Sequence, residues 1–357
     1  MNKKITRVIG LMSGTSLDGL DLVCVDFFQG DTIDYKIIAV DTYSYSDEWQ
    51  QKLKAAFYFN ALKIEQIHLD YGLYLGDQVN RFIEENELKD IDFVASHGHT
   101  IFHKPDEDYT LQIGDGQLVA NRTNLKVICD FRTQDVELGG QGAPLVPIGD
   151  RLLFSDYSHC INLGGFANVS FDSVDGKRIA FDICPVNVIM NRYANELGFD
   201  YDEGGRIASI GEFNSDLFDA LNGIDFYKQH PPKSLGMEWV TSHMDPILKS
   251  IDLDAKSILR TYVEHIAYQI AKVLPNKKTS ILLTGGGAKN TFLVNRLTDM
   301  TTSKIVIPSD EIIDYKEALI FALLGLLRSQ NRINCFSTVT GAKKDHSSGV
   351  IFTPQAF

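Results

Sequence analysis

Two rhythms of apolar and polar positions run along this chain. Short runs rich in β-branched and aromatic residues alternate with longer stretches whose apolar residues recur every three or four positions, and that alternation predicts an α/β protein. Strands are predicted at 7–12, 20–27, 91–95, 126–129, 160–163, 167–171, 178–181, 280–284 and 304–307, and helices at 48–59, 64–85, 188–197, 255–274, 290–300 and 316–330. A longer-range echo overlies the pattern. RVIGLMSGTSLDGLDLVCVDF and HCINLGGFANVSFDSVDGKRIAFD each run strand, glycine-containing turn, strand, and the second adds a third strand. The echo points to two related halves with a cleft between them; several unrelated hairpins in one mixed protein would fit the pattern equally well.

Composition narrows the class. With 357 residues, 44% of them apolar, the chain is long enough for two cores, since a single core stops growing at about 250–300 residues. We expect domains at 1–150 and 151–357, with the C-terminal tail packing back on the first. A net charge of −13 and a pI near 5.1 argue against nucleic acid or an anionic membrane as partner. Cys24, Cys129, Cys160, Cys184 and Cys335 are scattered and form no C-x-x-C pair, so they read as small buried hydrophobes in a reducing compartment. No run approaches the roughly 20 apolar residues of a membrane helix. Ser13, Gly14 and Asp18 interrupt the N-terminal apolar run too early for a signal peptide, and a cytoplasmic protein is expected.

Four stretches carry candidate chemistry. In GLMSGTSLDGLD, Gly14 and Gly19 allow close backbone approach and Ser13, Thr15 and Ser16 add hydroxyls, so the turn could cradle phosphate or be a polar hairpin turn; no Lys-Ser/Thr pair makes it a Walker loop. In LLTGGGAKNTFLVNRL a strand runs through Gly285, Gly286 and Gly287 into a helix, the layout of a nucleotide site, or of a close helix–sheet contact that needs small residues. In DFRTQDVELGGQGAPLVP, Arg132 could grip a carboxylate or phosphate bidentately, or pair with Asp130 or Asp135. SHGHTIFHKP carries His97, His99 and His103; without a neighbouring cysteine or an H-E-x-x-H, pocket lining or structural histidines outweigh zinc.

These motifs, with TLQIGD, NLGGFANVS, EALIFALL and VTGAKKD, stand in the order that resembles the anhydro-N-acetylmuramic acid kinase family over nearly the whole chain. The resemblance implies two duplicated actin-like ATPase (RNase H-like) domains with an interdomain cleft. It also implies use of ATP with Mg2+, and of water, to open the 1,6-anhydro ring of a cell-wall sugar and phosphorylate O6, giving N-acetylmuramic acid 6-phosphate in peptidoglycan recycling, by a homodimer. Carried over position by position, Asp182 falls on the catalytic base. Gly10, Ser13, Gly14, Thr15, Ser16 and Asp18 fall on a first phosphate turn, Gly164, Gly165 and Asn168 on a second, and Gly285, Gly286 and Gly287 on the nucleotide strip. Arg132, Glu317 and His97 fall on positions facing the sugar.

Two segments depart from the family pattern. Where the family has D-T-G-P-G-N, this chain has Asp182-Ile183-Cys184-Pro185-Val186-Asn187, and a K-S-T-G-R-E stretch reads Lys233-Ser234-Leu235-Gly236-Met237-Glu238. An altered nucleotide or sugar contact is one implication, which keeps two alternatives open: a degenerate sugar- or nucleotide-binding sensor, and a kinase for a different anhydro-sugar. Locally, Asp182 is expected at the end of the third strand of its hairpin, with Asn187 as N-cap of the helix that follows.

Overall fold

The computed structural model describes residues 4–14 and 17–355. The chain forms two compact units, Met1–Leu153 with Tyr315–Phe357, and Phe154–Asp314. The tail therefore belongs with the first unit, and so does most of the helix Asp310–Ser329.

In the first unit, β1 (Lys4–Ser13), β2 (Gly19–Gln29) and β3 (Ile33–Ser44) form an antiparallel meander. β4 (Phe93–Lys104) joins β1 in parallel, and β6 (Val127–Cys129) joins β4 in parallel. β5 (Tyr109–Ile113) folds back on β4. β12 (Val350–Phe352) closes the edge against β6. The second unit repeats the plan with β7 (His159–Leu163), β8 (Phe166–Asp172) and β9 (Arg178–Pro185) antiparallel, then β10 (Ser280–Thr284) and β11 (Lys304–Val306) parallel. The spatial orders β3-β2-β1-β4-β6 and β9-β8-β7-β10-β11 are the same. An antiparallel meander followed by parallel strands, present twice, is the duplicated actin-like (RNase H-like) α/β fold.

Each unit has its own core. In the first, the helix Ala61–Glu85 starts at Asn60, whose side chain accepts from the Lys63 amide at 3.0 Å, and it buries Ile67, Tyr71, Leu75, Val79 and Phe82 along one face. In the second, Asp254 caps Ala255–Val273 through the Lys256 and Ser257 amides. That helix is buried nearly all round, from Ile258 to Ile270, because it runs through the centre of the unit's apolar cluster. Among the described residues no helix is long and apolar enough to cross a membrane.

Two local expectations fail at Asp182 and Asn187. β9 does not end at Asp182 but runs on to Pro185, and the pairing skips Ile183, with Ala167 opposite Cys184 and Asn168 opposite Asp182. Such a bulge twists the strand and re-aims the side chains on either side of it. Asn187 is the first helical residue and not the cap; the helix Asn187–Glu196 has no side-chain cap. The turn of the hairpin substitutes, because the Gly165 carbonyl accepts from Val186 (2.8 Å) and Val188 (3.4 Å) and the Gly164 carbonyl from Asn187 (3.3 Å). Asn187 is then free to donate its side-chain amide to Leu163.

Candidate active site

In the second unit the site grows from the bulge. Asp182 and Asn168 are cross-strand neighbours, with Asn168 exposed and Asp182 half-buried. The Asp182 amide donates to the Lys233 carbonyl at 3.1 Å, and the Leu235 amide donates to Asp182 Oδ2 at 2.8 Å. Segment 233–235 thus lies against β9 beside the bulge and, through the Leu235 amide, orients the carboxylate. Burial raises the Asp182 carboxyl above its ordinary value, and the Leu235 hydrogen bond opposes the shift. Lys233 is held in turn: its ammonium donates to the Phe226 carbonyl and lies 4.5 Å from the Phe226 ring. The two segments that depart from the family pattern are therefore one physical unit, a partnership that motif reading did not find because 233–235 shows no periodicity.

The glycines of this unit divide by what a side chain would meet. Gly285 has φ +81°, and a Cβ there would fall 2.7 Å from Asn162 Oδ1 and 2.8 Å from the Leu163 carbonyl carbon; one on Gly287 would fall 2.7 Å from Leu163 Cβ. Close packing on β7 accounts for these two. At Gly286 a Cβ would meet only Asn187 Nδ2, at 3.9 Å, so this is the member of the strip with open space before it. Gly164 and Gly165 form the β7–β8 turn, and their carbonyls cap the next helix.

In the first unit, Gly10 is buried in β1, and a Cβ on it would stand 2.2 Å from the Ala318 carbonyl oxygen. Its missing side chain lets the helix Asp310–Ser329 lie directly on the strand. The Ser13 hydroxyl also turns inward, 2.6 Å from Tyr45 OH and 2.8 Å from His99 Nδ1, and Tyr45 OH reaches Tyr71 OH at 2.6 Å. Gly14 and exposed Asp18 remain at the turn, and the Asp18 carboxylate accepts from the Gly19 amide. Thr15 and Ser16 lie outside the described residues.

Arg132 pairs with neither Asp130 nor Asp135. Its Nε donates to His97 Nε2 at 3.0 Å and its Nη1 to the Gly142 carbonyl at 2.7 Å. His97 Nδ1 faces the Gly98 carbonyl at 3.0 Å and must be its donor, so the ring is neutral with an acceptor Nε2. Burial, reinforced by the Arg132 charge, pushes His97 well below the ordinary histidine range. Burial lowers Arg132 to about 10, with Glu317 opposing. Glu317 keeps exposed surface, yet the protein crowding its carboxylate raises it more than Arg132 and Lys316 lower it. A cavity of about 200 Å³ opens beside His97, lined by His68, Gln112, Asp115, Asp130 and Phe352 among others. Sequence reasoning missed His68, which sits within a helix and in no motif. His99 bonds Ser13 and His103 lies 3.3 Å from Thr110 Oγ1, so the three histidines take separate partners.

The arrangement offers a carboxylate of raised pKa on one unit and a guanidinium–imidazole pair with an acidic neighbour on the other. A family model described as anhydro-N-acetylmuramic acid kinase matches residues 6–354. Similar curated proteins named anhydro-N-acetylmuramic acid kinase come from Mannheimia succiniciproducens (34% identical, covering 96% of this chain and 98% of the relative) and Sulfurovum sp. (35%, 99% and 100%). Among solved structures, the activator of a 2-hydroxyisocaproyl-CoA dehydratase from Clostridium difficile aligns at 14% identity over 91% of this chain and 97% of its own, with a TM-score of 0.42. On the strength of the family match along almost its full length, this chain belongs to the anhydro-N-acetylmuramic acid kinase family.

Proposed function

We propose that the protein is an ATP-dependent kinase that opens the internal ring of anhydro-N-acetylmuramic acid with water and phosphorylates the freed O6, giving ADP and N-acetylmuramic acid 6-phosphate. The observation that carries this reading is the state of Asp182. One of its oxygens accepts from Leu235, the other has no partner among the described residues, and burial makes the group more basic than an ordinary carboxylate. Such a carboxylate is suited to take a proton from the water that attacks the anomeric carbon. As the water oxygen bonds to the anomeric carbon, the bond from that carbon to O6 breaks, and the freed O6 bonds to the γ-phosphorus of ATP while ADP leaves.

Arg132, locked by His97 and the Gly142 carbonyl, presents its remaining N–H groups to sugar oxygens, and Glu317 accepts from sugar hydroxyls. Gly14, Gly164, Gly165, Asn168 and Gly286 are assigned to the triphosphate, Gly286 because of the open space in front of it. The exposed carboxylate of Asp18 is a hard oxygen donor at the first glycine turn, of the kind that holds magnesium together with nucleotide phosphates. Bound there, magnesium would supply charge neutralisation to the transferring phosphoryl group. A homodimer acting in the cytoplasm completes the reading. Incubation of the purified protein with ATP, magnesium and a panel of anhydro-sugars, with products weighed by mass spectrometry, tests it. ADP and a sugar 6-phosphate from the N-acetylmuramic substrate are expected, and absence of turnover on every sugar would overturn it.

A further inference from the structure

A second cluster of titratable side chains lies between the helix Thr133–Glu137 and the C-terminal segment of the same unit. Cys335 and His346 form an antiparallel bridge, each amide donating to the other's carbonyl at 3.2 Å, so their side chains emerge side by side from one face. Both point at Asp135, which is fully buried; Cys335 is 2% and His346 5% exposed. Cys335 Sγ is 3.0 Å and His346 Nε2 3.5 Å from Asp135 Oδ1, and one ligand atom from each of the three residues lies within 4.8 Å of the others. His346 Nδ1 is 3.2 Å from the Lys344 carbonyl, which can only accept. In the neutral ring the proton is then on Nδ1, and Nε2 directs a lone pair at the carboxylate. That nitrogen is buried and makes no hydrogen bond, so the space between it and the carboxylate suits an electropositive occupant.

We propose that Asp135, Cys335 and His346 supply three of the four ligands of one Zn2+ ion, with a water molecule as the fourth. Thiolate, imidazole and carboxylate are the zinc donor set, and a ligating histidine characteristically donates its other ring N–H to a backbone carbonyl, as His346 does to Lys344. The geometry is close to that required. With metal–ligand bonds of about 2.0 Å to nitrogen and oxygen and 2.3 Å to sulfur, a tetrahedral ion separates N from O by about 3.3 Å and S from O by about 3.5 Å. The histidine already stands at the right distance, and the thiol need withdraw only by about half an ångström. On binding, the Cys335 thiol proton is released to solvent and the thiolate takes the metal. Thr340 Oγ1 donates to Asp135 Oδ1 at 2.7 Å and the Gly142 amide to Oδ2 at 2.7 Å, which orients the carboxylate. The ion would therefore fasten the tail to the loop whose Gly142 carbonyl holds Arg132.

The test uses the full-length protein. Elemental analysis of protein purified without added metal should find one zinc per chain. Replacement by Co2+ after chelation should give a thiolate-to-cobalt charge-transfer band, which Cys335→Ser abolishes and His346→Gln shifts. Thr340→Val, which leaves all three ligands in place, should weaken metal affinity by about 10–100-fold. Because Cys335→Ser could unfold the chain, the cobalt spectrum of the unaltered protein stands as an independent measurement. No retained zinc together with no charge-transfer band, or a band that survives Cys335→Ser in folded protein, would overturn the proposal.

Discussion

Replacing Asp182 by asparagine separates catalysis from stability. The amide keeps the size of the carboxylate, and its carbonyl oxygen can still accept from the Leu235 amide now 2.8 Å from Oδ2. What is lost is basicity. A general base contributes about 10²–10⁴-fold, or about 2.7–5.4 kcal/mol of transition-state energy at 1.36 kcal/mol per tenfold, so kcat should fall by that factor. Stability should move the other way or not at all. A hydrogen bond to a charged acceptor contributes about 1.5–3 kcal/mol and one to a neutral acceptor about 0.5–1.5, so the exchange costs about 1 kcal/mol. Against this, the substitution removes an ionised group from a half-buried position.

The sign follows from linkage. The folded-state pKa of Asp182 lies above its ordinary value of 3.8, so the native state binds the proton more tightly than the unfolded state. The stability this confers is complete below 3.8 and is lost as pH rises through the folded-state pKa, which leaves the ionised form as the less stable one at neutral pH. Kinetic assays and thermal melts at neutral pH decide the matter. The expected result is a loss of at least about 100-fold in kcat with Tm unchanged or raised. The acid limb of the unaltered enzyme's pH–rate profile should lie above the ordinary aspartate range. Activity within tenfold of the parent would refute the role as base. A fall in Tm beyond about 4 °C, more than 1 kcal/mol produces in a domain of this size, would show that the carboxylate is structural.

Other substitutions divide the same way. Arg132→Lys removes the planar fork that donates to His97 and Gly142, and kcat/KM for the sugar should drop by about 10–100-fold, the equivalent of one charged hydrogen bond; unchanged steady-state kinetics would remove Arg132 from the sugar site. Gly10→Ala forces a Cβ to within 2.2 Å of the Ala318 carbonyl oxygen, and urea unfolding should show a loss of about 1–3 kcal/mol or more, whereas unaltered stability would contradict the packing account. Gly286→Ala should leave the urea midpoint in place, since its Cβ meets only Asn187 Nδ2 at 3.9 Å, yet weaken ATP binding by about tenfold in calorimetry; equal ATP affinity would exclude Gly286 from the nucleotide site.

The parts of the fold legible in the sequence were those with one dominant rhythm. Ala61–Glu85 and Ala255–Val273 declare themselves by apolar residues every three or four positions, and β1 and β2 by short, nearly continuous apolar runs. β3 was missed because it mixes buried Ile33 and Tyr43 with exposed Asp34 and half-exposed residues in the manner of an edge strand. β12 was missed because three residues carry no period, and only its pairing with β6 makes it a strand. Within the site, residue types were readable and partnerships were not. Arg132 looked equally suited to Asp130 or Asp135, and its actual partners, His97 and a backbone carbonyl, are fixed by the parallel placement of β4 and β6.

The same limit explains the two departures at Asp182. Read singly, the loss of glycines after Asp182 and of an arginine near Lys233 look like two defects in a binding site. In the fold, 233–235 is the backbone that Asp182 pairs with on both its amide and its carboxylate, while Cys184 and Val186 are fully buried, directed into the apolar cluster of their unit. Side chains that point into the core do not obstruct a ligand; they stiffen the strand that carries Asp182. Glycine at these positions would leave more conformational freedom to be lost on folding, and Cys184→Gly with Val186→Gly should therefore lower Tm. If kcat of the double variant stays within a few-fold of the parent once the folded fraction is allowed for, the substitutions have traded backbone freedom for packing without altering the reaction, whereas a gain of tenfold or more in kcat would mean that the bulk at 184 and 186 does impede the chemistry.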